Sequence, residues 1–287
     1  MKKYIALTIL FASLLFSSGA NAFYYGGEKS LGLAGAYTAV ADDTAAIFMN
    51  PGGLPLTKAY IFEINYEIDN KPDSELWGVS VLDSKSASIA TGFAYYKATR
   101  KDSKLKASEE ALGKDYFDLS DSEEMFVIAL AEQYSPRLSL GISYKYVKQG
   151  GPKNDDDTGD AGIVYRFDQR LSFSLVGKNL ITNDIEDLHK LYTAGASFKA
   201  TTVGISFDIT KDDTTKKSND VMYSYGAETF VIRSVILRGG YHINKIEDKK
   251  FYALNLGYLF QSFSINYALM RDEADGNDII HSISLKF

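Results

Sequence analysis

The residues able to do chemistry are few, and their spacing works against most of it. The densest group is Asn154-Asp155-Asp156-Asp157-Thr158-Gly159-Asp160, an oxygen-rich run that superficially resembles a calcium loop. Such a loop closes with a bidentate Glu at its far end, and none stands at that spacing. The run therefore reads as a solvated external loop, and no metal is assigned. His189, His242 and His281 lie scattered, with no serine or carboxylate partner at a telling distance along the chain. Gly32 and Gly35 follow no strand, so they make no dinucleotide fingerprint. The chain has no cysteine, which removes thiol chemistry, disulfides and lipid attachment through sulfur. These residues point away from an enzyme and call for no cofactor.

One stretch has a different character. Ser30 to Leu54 is rich in Ala and Gly and carries Asp42, Asp43 and Thr44 just before a short apolar turn. Side-chain oxygens of these three can cap a helical turn over Ala45 to Met49. Pro51 then stops it, because the residue before a proline is pushed out of helical geometry, and Gly52-Gly53 lets the chain turn away. Gly35-Ala36-Tyr37, Ala39, Ala41-Asp42-Asp43, Ala46, Asn50-Pro51 and Gly53-Leu54 form a dense pattern over about 25 residues. It resembles the N-terminal hatch of FadL-like outer-membrane transporters, most closely the PorV/PorQ-type branch, with Gly52 where that pattern usually has Ala.

The elements that would position this stretch are strands. Tyr 20 and Phe 17 against a single Trp favour β structure, although 45% hydrophobic and 24% charged residues reveal no membrane by bulk. After Leu54 the sequence alternates with period two to its end. Tyr60, Phe62, Ile64, Tyr66 and Ile68 share one face, and Glu63, Asn65 and Glu67 the other. Leu138, Leu140, Ile142, Tyr144 and Tyr146 oppose Ser139, Gly141, Ser143 and Lys145; Val203, Ile205, Phe207 and Ile209 oppose Gly204, Ser206 and Asp208. About fourteen such segments follow one another, the even number of single-chain bacterial barrels. The third is expected from Ser86 to Ala98. The fourth, Glu124 to Tyr134, is apolar on both faces and leaves its register open.

Connections alternate in length. Asp83-Ser84, Ser135-Pro136, Asp168-Gln169, Ala200-Thr201, Arg233-Ser234 and Gln261 mark tight turns. Between them come longer charged stretches: Thr99 to Ser122 (helical in character around Ser108 to Leu112), Gly150 to Gly159, Ile181 to His189, Lys211 to Asp220, Asn244 to Lys250 and Arg271 to Asp278. Short turns on one rim and long loops on the other suit an outer-membrane barrel. Tyr60, Tyr66, Tyr144, Tyr146, Tyr252 and Tyr258 sit where interfacial girdles would lie.

The expected fold is all-β: a transmembrane antiparallel β-barrel of about 14 strands over 58–287, with an N-terminal hatch, 23–57, in its lumen. Met1 to Ala22 reads as a signal peptide: Lys2-Lys3, an apolar core from Tyr4 to Phe16, then Ala20-Asn21-Ala22. Its removal leaves 29 basic against 37 acidic residues, net −8, which disfavours nucleic acid as a partner. The last strand ends in Phe287, which resembles the signal read by outer-membrane assembly machinery.

The resemblance implies a monomer in the Gram-negative outer membrane, in contact with membrane lipid. It implies passive uptake of small hydrophobic molecules, fatty-acid-like or aromatic. A PorV-like barrel serving protein secretion or surface attachment is the alternative. Asp42, Asp43, Phe48, Asn50 and Pro51 are the candidate gate, acting either as a movable seal or simply fixing the plug's fold. Gly92, within the third strand, could mark a bulge and so a lateral opening, or make room for a neighbour. Glu63, Glu67, Lys145, Arg166, Asp208 and Arg238 are expected inside, paired with the plug or with each other.

Overall fold

A computed structural model describes residues 26–70, 73–100, 122–149, 155–181, 189–214 and 221–287. The expected signal peptide, the first residues of the expected hatch and the helical character at Ser108 to Leu112 lie outside these residues. The strands are β1 (Tyr60–Asn70), β2 (Asp73–Asp83), β3 (Ile89–Arg100), β4 (Ser122–Gln133), β5 (Leu138–Gln149), β6 (Asp156–Arg166) and β7 (Leu171–Lys178). They continue with β8 (Leu191–Lys199), β9 (Val203–Asp212), β10 (Val221–Ile232), β11 (Val235–Asn244), β12 (Lys249–Leu259), β13 (Ser264–Asp272) and β14 (Ile279–Lys286). Each pairs antiparallel with its neighbours in sequence, and β1 pairs with β14, closing the barrel. Closure removes both sheet edges, so every strand finds backbone partners on either side.

The alternation puts grease outside and polarity inside. Phe62, Ile64, Tyr66, Trp77, Phe93, Leu140, Ile142, Tyr144, Ile205, Leu254 and Ile283 are exposed on the outer wall. Glu63, Asn65, Ser80, Ser139, Ser143, Ser174, Asp208, Arg238, Asn255, Asn266 and Ser284 are buried on the inner one. A water-soluble barrel has the opposite arrangement. Aromatic side chains gather at two levels. Tyr258, Phe260, Phe263, Phe287 and Phe62 form a chain of ring contacts at the rim of the tight turns. Trp77, Tyr95, Phe126 and Tyr146 form another toward the opposite rim.

The structure resolves β4. Phe126, Ile128 and Leu130 face out; Met125, Val127, Ala129 and Ala131 are buried inside. Its two faces look alike in sequence because the inner one, packed under the N-terminal segment, is as apolar as the exposed outer one. Two boundaries differ from expectation. Strand β3 starts at Ile89, since Asp83 Oδ1 accepts from the Lys85 and Ser86 N–H groups (both 3.0 Å) and holds a longer turn. The acidic run is the larger correction: Asp156–Asp160 is strand, paired with β5 from Val147 to Ser143, with only its first residues left to the loop. Local charge suggests solvent, but the ladder to β5 outweighs it.

The described N-terminal residues pack against the inner wall. They comprise a helical turn at Gly27–Gly32, a second at Ala46–Met49 and a 3-10 helix at Pro51–Leu56. The chain does not simply turn away after Pro51: the 3-10 helix carries it on against β4, β5 and β6. Capping also differs from expectation. Ala45 occupies the N-cap without a side-chain bond, Asp43 Oδ1 accepts from Ala45 N–H at 3.1 Å, and Asn50 caps the 3-10 helix instead.

Candidate functional site

The interior is where polar chemistry and the N-terminal segment meet, and its seat has three parts. The first is an ion cluster at the seam of β1 and β14. Lys286 Nζ, inward-facing at the end of β14, stands 2.9 Å from Glu28, 2.6 Å from Asp43 and 3.8 Å from Glu63. Tyr37 Oη donates to Asp43 at 2.5 Å, and Thr44 Oγ1 donates to Glu63. Asp42 lies partly exposed and takes Lys29, whose ammonium would otherwise be buried alone. Burial alone would raise the Asp43 pKa; Lys286, then Lys29, outweigh it and hold the carboxyl well below the usual range.

The second part is backbone-to-wall. Asp208, buried on β9, accepts from the N–H groups of Tyr37 (3.1 Å) and Thr38 (2.9 Å). Asn50 is fully buried: its Nδ2 donates to Thr38 O at 2.8 Å and more weakly to Ile163 O at 3.4 Å, while Oδ1 accepts from Gly52 N–H at 3.0 Å. Close approach here depends on missing side chains. A Cβ on Gly141 would fall 2.3 Å from the Pro51 carbonyl carbon, and one on Gly162 would fall 2.0 Å from Asn50 Oδ1.

The third part is apolar. Phe48 packs edge-on against Tyr96, with centroids 4.8 Å apart and planes at 84°. Around them Leu76, Ala94, Ala98, Met125, Val127 and Val147 line β2 to β5, joined by Ile47, Met49 and Leu54 from the segment. One side of the interior is therefore a hydrocarbon wall and the other is hydrogen-bonded and charged.

The five candidate gate residues do not converge on one point. Asp43 serves the β14 side, Asp42 pairs with Lys29 within the segment, Phe48 meets the β3–β4 wall, and Asn50 with Pro51 the β5–β6 wall. Each has a positioning contact in place. Gly92 faces inward, and β3 keeps continuous register with both neighbours through it, so no bulge marks this position. A Cβ there would meet Ile47 Cγ1 at 2.5 Å, which makes Gly92 the space that Ile47 fills. The one register shift among the described ladders is near Val231, between β10 and β11.

Most of the expected inward charges find partners. Lys145 pairs with Asp160 at 2.6 Å, and Arg238 with Glu228 at 3.2 Å and Asn255 at 2.7 Å. Arg166 departs from expectation: it sits at the turn rim and donates to Pro136 O at 3.3 Å, with no ion pair to an acid among the described residues. Glu67 departs as well, with a buried Oε2 that has no hydrogen-bond partner.

Sequence reasoning missed Glu28, Tyr37 and above all Lys286. The available signal was that Ser282, Ser284 and Lys286 share the polar face of the last strand. A depression of about 1040 Å³ lies on the outer wall, among Leu140, Ile142, Ile163, Leu175 and Ile209, where Ala161, Gly177 and Ala194 leave room. It brings no convergent polar groups together.

No family model and no curated protein matches this sequence. Solved structures do match. The Ralstonia pickettii toluene transporter TbuX aligns with 91% of this chain and 97% of its own, at 12% identity and a TM-score of 0.65. The P. putida toluene transporter TodX aligns at 10% identity and a TM-score of 0.59, covering 91% of this chain and 95% of its own. A Pseudomonas aeruginosa FadL homologue aligns at 12% identity and 0.56, covering 91% and 98%. At such identities the likeness establishes a shared fold. These matched proteins are transporters or their homologues, not enzymes.

Proposed function

We propose that this chain is an outer-membrane β-barrel for passive uptake of small hydrophobic molecules, fatty-acid-like or aromatic. In this reading residues 1–22 direct export and are removed. Residues 23–57 act as a hatch in the lumen. Asp42, Asp43, Phe48, Asn50 and Pro51 hold that hatch to the wall, and a solute passes when part of the seat lets go. A sideways exit at Gly92 would require β3 to part from a neighbour there. The protein acts as a monomer, and its final strand, ending in Phe287, is the handle for the assembly machinery. The wording of Ser30 to Leu54 places it nearest the PorV/PorQ-type branch.

The observation that carries the reading is the apolar inner wall of β2 to β5 facing Phe48 and Met49. An aqueous pore has no use for buried Met125, Val127 and Val147, whereas a hydrophobic solute needs such a surface to leave water. Fold likeness to the toluene transporters TbuX and TodX supports the same class of cargo. Ion pairs crowd the β1–β14 seam, and on this wall the described ion pair is Lys145 with Asp160 at its β5–β6 border.

Two measurements test the proposal. Nitroxide labels at Leu140 and Phe207, both on the outer face, should be relaxed by oxygen and shielded from a water-soluble nickel chelate; the reverse would deny a membrane wall. Protein extracted in mild detergent should release a bound hydrophobic small molecule in mass spectrometry. Finding none, together with unchanged hydrocarbon uptake in cells lacking the protein, would favour the secretion role.

A further inference from the structure

We propose that the depression on the outer wall seats a phosphorylated, multiply acylated glycolipid of the outer leaflet, its phosphates held by Lys211 and Lys245. This needs the outer wall to face lipid and leaves the cargo of the lumen open. Two rows of outward side chains build the depression, each running across the strands. The row nearer the loops is Ala161, Gly177, Tyr192, Lys211, Val221 and Lys245. Each pairs in register with the next, the last through Lys245 N–H on Val221 O at 3.4 Å. The row nearer the turns is Leu140, Ile163, Leu175, Ala194 and Ile209. Aliphatic chains stand up around Ala161 and Ala194 and leave a trough between them, with Leu180 leaning over Gly177 as part of its wall. At about 1040 Å³ it exceeds a gap between neighbouring side chains and reaches the scale of a ligand site.

The trough has a direction. Strands of such barrels tilt by about 35–45°, so a row across them climbs from one rim to the other. Glu132, opposite Leu140 in the β4–β5 ladder, stands one residue from the turn end of β4. Lys211 stands one residue from the loop end of β9. An acid therefore marks the turn rim and cations the loop rim, which is the external side of an outer-membrane barrel.

Lys211 and Lys245 are two strand spacings apart, about 10 Å, on either side of Val221. Lys245 Nζ lies 4.9 Å over the ring of Tyr223, which continues the second row beyond Ile209. Asp213 approaches Lys211 at 3.6 Å, but both side chains are more than half exposed and solvent weakens the pair. Two ammonium groups at the mouth of a hydrocarbon trough complement a lipid with more than one phosphate and several chains. A phospholipid of the inner leaflet would bring its phosphate toward Glu132 instead. A second copy, related by a two-fold axis along the membrane normal, would set these lysines level with their own counterparts.

The test is native mass spectrometry of the detergent-solubilised full chain with added lipid A, a bisphosphorylated six-chain glycolipid, or with phosphatidylglycerol. The parent should hold lipid A about tenfold or more tightly than phosphatidylglycerol. Lys211→Gln with Lys245→Gln should lose about tenfold or more of the lipid A affinity. Ala194→Trp, which fills the trough without touching a charge, should lose a similar factor. Lys148→Gln, at the loop end of β5 and outside both rows, should bind as the parent does. If the parent holds phosphatidylglycerol as tightly as lipid A, or if either trough variant keeps the parent's lipid A affinity, the proposal is overturned. A dimer that Ala194→Trp dissolves, with no lipid A retained, would give the trough to a second copy and overturn it too. Hydrocarbon uptake is measured separately and stands or falls independently of these results. The substituted side chains all face outward, and the lipid preference of the parent decides the matter even if a variant does not fold.

Discussion

Lys286→Met should release the N-terminal segment from the barrel while leaving the barrel closed. One ammonium serves Glu28, Asp43 and Glu63, and the three carboxylates are buried where water cannot replace it. Removing one partner of a buried pair costs about 3–5 kcal/mol, because the abandoned charge stays desolvated. Docking of the segment is the contact that can yield. The β1–β14 seam is held by backbone bonds, with Phe287 and Phe62 exchanging N–H and C=O at 2.9 and 3.1 Å, and these do not involve the lysine ammonium.

The expected phenotype is a steady ion conductance in planar bilayers where the parent shows little, and faster proteolysis within residues 26–57. Heat-modifiable migration on gels should be unchanged. Adding Glu28→Gln and Asp43→Asn to Lys286→Met should restore much of the seal, since the two nearest carboxylates go with the ammonium. A Lys286→Met protein as tight and protease-resistant as the parent would show that the cluster holds nothing in place.

Mild acid should not reproduce this effect through Asp43. Its folded pKa is depressed, so its contribution is complete above the unfolded carboxylate value of about 4. That contribution is lost only as pH falls through the lower folded value. Conductance should therefore stay low from pH 5 to pH 8 as far as Asp43 is concerned.

Gly141→Val should displace the segment at a different point, by volume instead of charge. The first added carbon would lie 2.3 Å from the Pro51 carbonyl carbon, 2.4 Å from its oxygen and 2.6 Å from Gly52 N. All three are backbone atoms, so no rotamer change relieves the clash. Overpacking typically costs about 1–3 kcal/mol where neighbours can shift, and a 3-10 helix wedged on three strands has little room to do so. The Pro51–Leu56 turn should lift from β5 and β6, and Asn50 should lose its fit over Gly162.

Gly239→Val is the control, because its Cβ would meet nothing nearer than 3.7 Å. Bilayer conductance and proteolysis of the two variants should separate clearly, with Gly239→Val behaving as the parent. Equal behaviour would mean that Gly141 does not seat the segment.

By itself the sequence determined where most strands run, their faces apart from β4, and the parity of their connections. The period-two signal repeats in segment after segment, and Asp83, Ser135 and Asp168 stop strands by local backbone bonds that need no distant partner. Only the tertiary structure decided what the inward side chains do. Lys286 and Asp43 are 243 residues apart and meet solely because the sheet closes on itself. The register of β4 depends on Phe48 and Met49 filling the space behind it, since apolar residues on both faces carry no period. The acidic run became strand because β5 offered it a ladder, and Gly92 is empty because Ile47 occupies its place. Alternation along a strand is a local property of the chain, whereas a partner across a lumen exists only once the wall around it is complete.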